Sequence, residues 1–188
     1  MAGMNREQWL TKAAALIARH LFGKPLPKVR VSCGFPATGA TSATRRRIGE
    51  CWKATVSDDE TAEIFISPLL DDPLDVLSTL THELIHAYHP DAGHKGEFVR
   101  MAKSVGFTAP WTSTPMSVEL RDELNTKVLA KLPEYPHAKM NVSTKPKQST
   151  RMLKAECPED GYTVRLTQKW VDVGMPVCPC GCELELAG

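Results

Sequence analysis

The sequence predicts an α+β protein in two parts. A small sheet beside a helix bearing His82-Glu83-x-x-His86 comes first, and a cysteine-bearing β-hairpin ends the chain. Three observations carry this. Residues 28–33, 48–57 and 62–68 read as strands, either alternating or rich in β-formers. Residues 5–22, 73–88, 95–105 and 117–131 repeat apolar positions at helical spacing. Four of the six cysteines fall in the last 32 residues.

The first helix spans 5–22. Trp9, Ala13, Leu16, Ile17 and Leu21 share one face, Asn5 is suited to cap it, and Gly23, Pro25 and Pro27 end it. KVRVSC (28–33) follows as a strand, and the Gly-, Ala-, Thr- and Ser-rich stretch 34–44 as a loop. Arg45–Arg47 read as a solvated turn before IGECWKATVS (48–57). AEIFISP (62–68) is the third strand, closed by Pro68. Cys33 and Cys51 then lie on neighbouring strands as small apolar residues.

The next helix is the best marked. Asp72 is a capping residue, Pro73 suits the first helical position, Asp75 places negative charge in the first turn, and Pro90 stops the run after Tyr88. Residues 95–105 form a short helix ended by Gly106, and 117–131 a further one. Residues 133–152, rich in Pro, Lys, Ser and Thr, read as a linker, so the expected parts are 1–132, 133–152 and 153–188.

At 42% hydrophobic and 24% charged, the composition is that of an ordinary globular protein. No apolar run approaches the roughly 20 residues of a membrane helix, and AAALIA (13–18) is short and flanked by Arg6, Lys12 and Arg19. The N-terminus has no secretory pattern, so the expected location is cytoplasmic, without a membrane partner. No glycine loop for a nucleotide cofactor is recognisable. Net charge is +1, yet Pro136–Ala155 holds Lys139, Lys145, Lys147, Arg151 and Lys154 and no acidic residue. Such a segment can bind nucleic acid even in a near-neutral chain.

His82 and His86 are four residues apart, which puts both imidazoles on one helical face, about one turn apart. Two neutral imidazoles so placed can share a zinc ion. Glu83, about 100° round the helix from His82, is near the metal without being a ligand. There it can take a proton from water and pass it to a leaving amine. A catalytic zinc has three protein ligands and an open position. His89 lies about 10 Å along the axis from His82, too far to share an ion. His94 is the better third ligand, because Pro90 breaks the helix and Gly93 lets the chain return. Glu97 ranks second. The metzincin spacing requires a histidine where Ala92 stands. Tyr88 and Lys95 are within reach of an oxyanion, but Tyr88 reads chiefly as a packing residue and Lys95 as a solvated one.

His82, Glu83, His86, His94, Gly96 and Phe98, with IGECW (48–52) and IFISP (64–68), resemble the SprT-like metallopeptidases, in particular their bacterial and phage members. The resemblance runs over most of the chain. It implies a zincin-like domain in which His82, His86 and His94 bind zinc and Glu83 is catalytic. It also implies a zinc endopeptidase of proteins, including proteins bound or crosslinked to DNA. Lys95 between His94 and Gly96, and a short insertion, depart from the family pattern.

The C-terminal CPEDGYTVRLTQKWVDVGMPVCPCGCELEL resembles the zinc ribbon that follows the protease domain in that family. Its first knuckle, Cys157-Pro-Glu-Asp160, lacks one thiolate. A second, structural zinc would then rest on Cys157, Cys178 and Cys180 with either Cys182 or Asp160. The remaining reading is a ribbon without metal. Lys145, Lys147, Arg151, Lys154, Arg165 and Lys169, with Trp170, are the candidate nucleic-acid contacts. A competing expectation is a nucleic-acid-binding accessory protein whose zinc centre is structural or inactive. A small hydrolase of a non-peptide amide is a third.

Overall fold

Elements form where local chemistry favours them. Asn5 Oδ1 accepts from the Gln8 backbone N–H at 2.8 Å, and the Gln8 side chain accepts from the Asn5 N–H at 2.9 Å. This reciprocal cap starts α1, Arg6–Ile17, which continues as a wider turn to Phe22 before Gly23. Asp72 caps the N–H groups of Leu74 and Asp75 at 2.8 and 3.1 Å and starts α2, Pro73–Tyr88. Helix α3 is Glu97–Val105 and α4 is Val118–Glu123. The expected helix over 117–131 changes pitch, loosening over Leu124–Val128 and tightening over Leu129–Lys131.

The computed structural model describes residues 3–42, 44–140, 142 and 152–187. The fold is mixed α+β and divides into two units, Met1–Val142 and Ser143–Gly188.

In the first unit three strands make one sheet: β1 (Val29–Cys33), β2 (Gly49–Trp52) and β3 (Ala62–Ile66), in the order β1-β3-β2. Strand β3 runs parallel to β1 and antiparallel to β2. Cys33 and Cys51 are therefore not on neighbouring strands, since β3 lies between them, opposing Cys33 with Ile66 and Cys51 with Ile64. The physical reason is the alternation of AEIFI, whose Ala62, Ile64 and Ile66 bury on one face and suit the central position. The expected strand 48–57 stops at Trp52 and passes into a helical turn at Ala54–Val56.

The core lies between this sheet and the helices. Trp9, Leu10, Ile17, Ile64, Ile66, Leu77, Leu80, Leu84, Ile85 and Phe98 are all fully buried. Each such side chain contributes about 1.5–3 kcal/mol by burial. Helix α2 is thus packed around much of its circumference, which makes it a rigid carrier for whatever its one open face displays.

The expected linker begins later than residue 133. Trp9 Nε1 donates to the Pro133 carbonyl at 2.9 Å, and Tyr135 is buried with its ring 4.7 Å from that of Trp9. His137 meets Arg6 and the Pro68 carbonyl, and Lys139 pairs with Asp71. Residues 133–140 thus belong to the first unit, held by an aromatic pair that the Pro- and Lys-rich composition masked.

The second unit holds β4 (Leu153–Glu156), β5 (Thr163–Leu166), a short α5 (Gln168–Val171) and β6 (Glu185–Leu186). It is more than the expected hairpin, since β6 adds to β4 and gives the order β5-β4-β6. Among the described residues its buried cluster is Ala155, Cys157, Cys178 and Leu184.

Candidate metal centres and cleft

Helix α2 places His82, Glu83 and His86 on its side facing β2 and the loop after α3. Pro90 ends the helix direction, Gly93 adopts φ +53°, and the chain returns so that His94 approaches from across the cleft. The three Nε2 atoms are mutually 3.1, 3.2 and 3.2 Å apart. Tetrahedral bonds of about 2.0–2.1 Å would space ligand nitrogens by about 3.3 Å, so the triangle fits one ion.

The electrostatics agree. Burial and the neighbouring imidazoles push His82 down to about 3, burial and His94 push His86 down to about 4, and burial with Arg47 lowers His94. All three rings are therefore neutral near pH 7, with lone pairs free for a metal. The buried Phe98 ring packs against all three, with centroids 5.0, 4.5 and 5.0 Å away. His82 Nδ1 lies 2.7 Å from Thr114 Oγ1.

Glu83 is buried, at 6% exposure. Burial, reinforced by the charge of Glu50 and opposed by Arg47, pushes its carboxyl up to about 8. Among the described residues no donor hydrogen-bonds to it. Its room comes from Gly49 on β2. A Cβ there would overlap Glu83 Oε1 and come within 2.6 Å of Thr79 Cγ2. Cys51 shares that face of β2, and its half-buried thiol is pushed up to about 12 by burial and by Glu83.

These groups line a cleft of about 970 Å³. Arg45, Arg46 and Arg47 form part of its wall, with Thr112–Met116 also contributing. Arg45–Arg47 are exposed, as expected of a solvated turn, and the turn borders the cleft. His89 and Glu97 line a different depression, and Glu97 pairs with Arg100. Tyr88 packs, its hydroxyl donating to the Pro25 carbonyl at 2.8 Å and its ring meeting Phe22, while Lys95 is exposed.

A second cluster lies in the C-terminal unit. Cys157, Asp160, Cys178 and Cys180 each bring a donor atom within 4.8 Å of the others. Cys157 Sγ and Cys180 Sγ are 3.5 Å apart, and Cys178 Sγ is 3.3 Å from Asp160 Oδ2. Two turns build it. Gly161 N–H donates to the Cys157 carbonyl at 3.1 Å, and Gly181 N–H to the Cys178 carbonyl at 2.8 Å. Three thiols and a carboxylate make a complete four-donor set for a tetrahedral ion. Asp160, not Cys182, is the fourth member of this group.

Of the expected nucleic-acid contacts, Lys145, Lys147 and Arg151 lie outside the described residues. Lys154 and Arg165 are cross-strand partners on β4 and β5, with Lys154 paired to Glu156. Lys169 lies over the exposed Trp170 ring, 5.1 Å from its centroid. No described helix is long and apolar enough to cross a membrane.

The sequence reading missed two residues of the first site. Gly49 left a signal, because a lone glycine inside a strand marks close approach by a neighbour. Thr114 left none, since only the fold brings it to His82. Comparison with known protein families, curated proteins and solved structures finds no match to this chain.

Proposed function

We propose that this protein is a zinc metalloendopeptidase whose substrates are proteins associated with DNA. The observation that carries the reading is the convergence of three neutral imidazole nitrogens, 3.1–3.2 Å apart, beside a buried carboxylate in an open cleft. Three ligands leave a metal an open position, the arrangement of catalytic rather than structural sites.

His82, His86 and His94 would hold the ion. When bound, it supplies Lewis acidity, polarising a carbonyl and acidifying water. Glu83, buried at the wall of the cleft and without a donor among the described residues, would accept the proton of the attacking water and deliver it to the leaving amine. With its carboxyl pushed up to about 8, the ionised form would accept the proton and the protonated form would deliver it. Gly49 keeps that carboxylate against the strand, and the walls of the cleft hold an extended substrate segment. The resemblance to SprT-like peptidases supports the same reading of the histidines and Glu83, and a zincin-like first unit with a ribbon-like second.

DNA as the setting for the substrate rests on that resemblance and on cationic surfaces. Arg45–Arg47 line the cleft. Arg165, Lys169 and Trp170 offer phosphate contact and base stacking on the second unit. In that unit Cys157, Asp160, Cys178 and Cys180 would hold a structural zinc.

The test compares Glu83→Gln with wild type on a DNA-bound protein, with and without DNA. Wild type is expected to cleave, more rapidly with DNA, and the variant to retain zinc but lose cleavage. A variant that keeps its biological activity would instead favour an accessory protein that binds nucleic acid.

A further inference from the structure

Of the contacts around the three histidines, one comes from a residue to which the sequence gives no role. Thr114 is buried, and its hydroxyl lies 2.7 Å from His82 Nδ1. Among the described residues it is the one side-chain hydrogen-bond partner that any of the three imidazoles has outside their own cluster.

The direction of this bond follows from the other end of the ring. His82 Nε2 faces the Nε2 atoms of His86 and His94 at 3.2 and 3.1 Å. A metal ligand must present a bare lone pair there, so the ring proton sits on Nδ1 and is donated to Thr114 Oγ1. The hydroxyl then selects the metal-binding tautomer and fixes the plane of the ring.

The backbone supplies an independent observation. Thr114 has φ +38°, a left-handed conformation that is an outlier for a β-branched residue. Such a conformation persists only where the surroundings over-determine it. Its N–H donates to the Pro110 carbonyl at 2.8 Å, and Phe107 pairs with Met116 across the base of the loop. The Thr108 N–H donates to the Pro115 carbonyl at 2.9 Å, closing the same loop. Gly or Asn would fit the position with less strain, yet neither carries the short hydroxyl that meets His82.

From these observations we infer that Thr114 is a positioning residue for the metal centre, holding His82 in the ligating tautomer and orientation. The inference rests on the reading that the three histidines bind a metal. Outer hydrogen bonds of this kind change metal affinity by about 10–100-fold.

The test is a zinc titration of the full-length, ¹⁵N-labelled chain against a competing chelator, followed at the imidazole nitrogens of His82, His86 and His94. In the metal-free wild type, His82 carries its proton on Nδ1. Thr114→Val has the same shape and backbone strain without the hydroxyl. It is expected to show mixed His82 tautomers and zinc bound about 10–100-fold more weakly. Thr114→Ala, less crowded at this backbone angle, should show the same loss, and Thr114→Ser should restore both tautomer and affinity. Wild-type affinity in Thr114→Val and Thr114→Ala, or a Thr114→Ser as impaired as they are, overturns the inference. A wild type whose three imidazoles ignore zinc overturns the metal reading itself, which is a separate result.

Discussion

The two clusters differ in number of donors and in what surrounds them. His82 and His86 offer two donors on a helix already packed into a large core, and His94 adds a third from the loop that follows it. Cys157, Asp160, Cys178 and Cys180 offer four donors in a unit whose buried cluster, among the described residues, is four residues. A closed set of four satisfies a metal fully and suits structure, whereas an open set of three leaves room for a reacting molecule. On the proposed reading the two units would depend on metal for opposite reasons: the first, packed around its own core, would use an ion for chemistry, and the second would need one in order to fold.

The largest expected effect tests that dependence. Structural zinc contributes about 10–16 kcal/mol in small zinc-finger peptides. A strong chelator should therefore unfold the second unit while the first survives. Hydrogen exchange reads this directly, with protection lost at Cys157 and Leu184 and kept at Leu80 and Leu84. Equal loss in both units breaks the comparison.

Next is Glu83→Gln, which should lower peptide cleavage by about 10²–10⁴-fold with zinc content unchanged. Metal analysis beside a cleavage assay checks both halves. Gly49→Ala should follow, because its Cβ displaces the Glu83 carboxylate. A misplacement of about 1 Å costs about 10²-fold in rate. Its zinc affinity should stay that of wild type, so an affinity loss would place Gly49 in support of the ligands instead.

In the second cluster, Asp160→Ala should weaken metal binding and lower the melting temperature of that unit, whereas Cys182→Ser should do neither. A spectrum of the cobalt-loaded protein showing four thiolates in place of three reverses the two roles.

The smallest effect concerns pH. Unfolded histidines take a proton near 6.5, whereas folded His82 and His86 resist to about 3 and about 4. The unfolded state then binds more protons, so the metal-free first unit should lose stability as pH falls below about 6.5. Denaturant midpoints of the metal-free chain at pH 7 and pH 5 measure it, and His86→Gln should flatten the slope.

Local chemistry made much of the first unit legible. Asp72, Pro73 and Pro90 bound α2 at the predicted residues, and the four-residue spacing of His82 and His86 put both on one face. Asn5 and Gly106 likewise close helices where expected. Distance along the axis removed His89, and the Gly93 turn favoured His94. The errors fell where pairing is non-local. Strand order β1-β3-β2 separates Cys33 from Cys51, and the short β6 joins β4 across the second unit. The Trp9–Tyr135 contact claims residues read as linker.

By itself the sequence determined the helix carrying His82, Glu83 and His86, the return of His94 and the two cysteine turns, because caps, periodicity and glycine turns act within a few residues. Tertiary structure alone decided that Gly49 makes room for Glu83, that Thr114 meets His82, that Arg45–Arg47 line the cleft and that Asp160 joins the thiols. Each of these joins residues from separate turns, strands or helices. No local propensity encodes such a meeting, which exists only once the core has packed and fixed the elements that carry them.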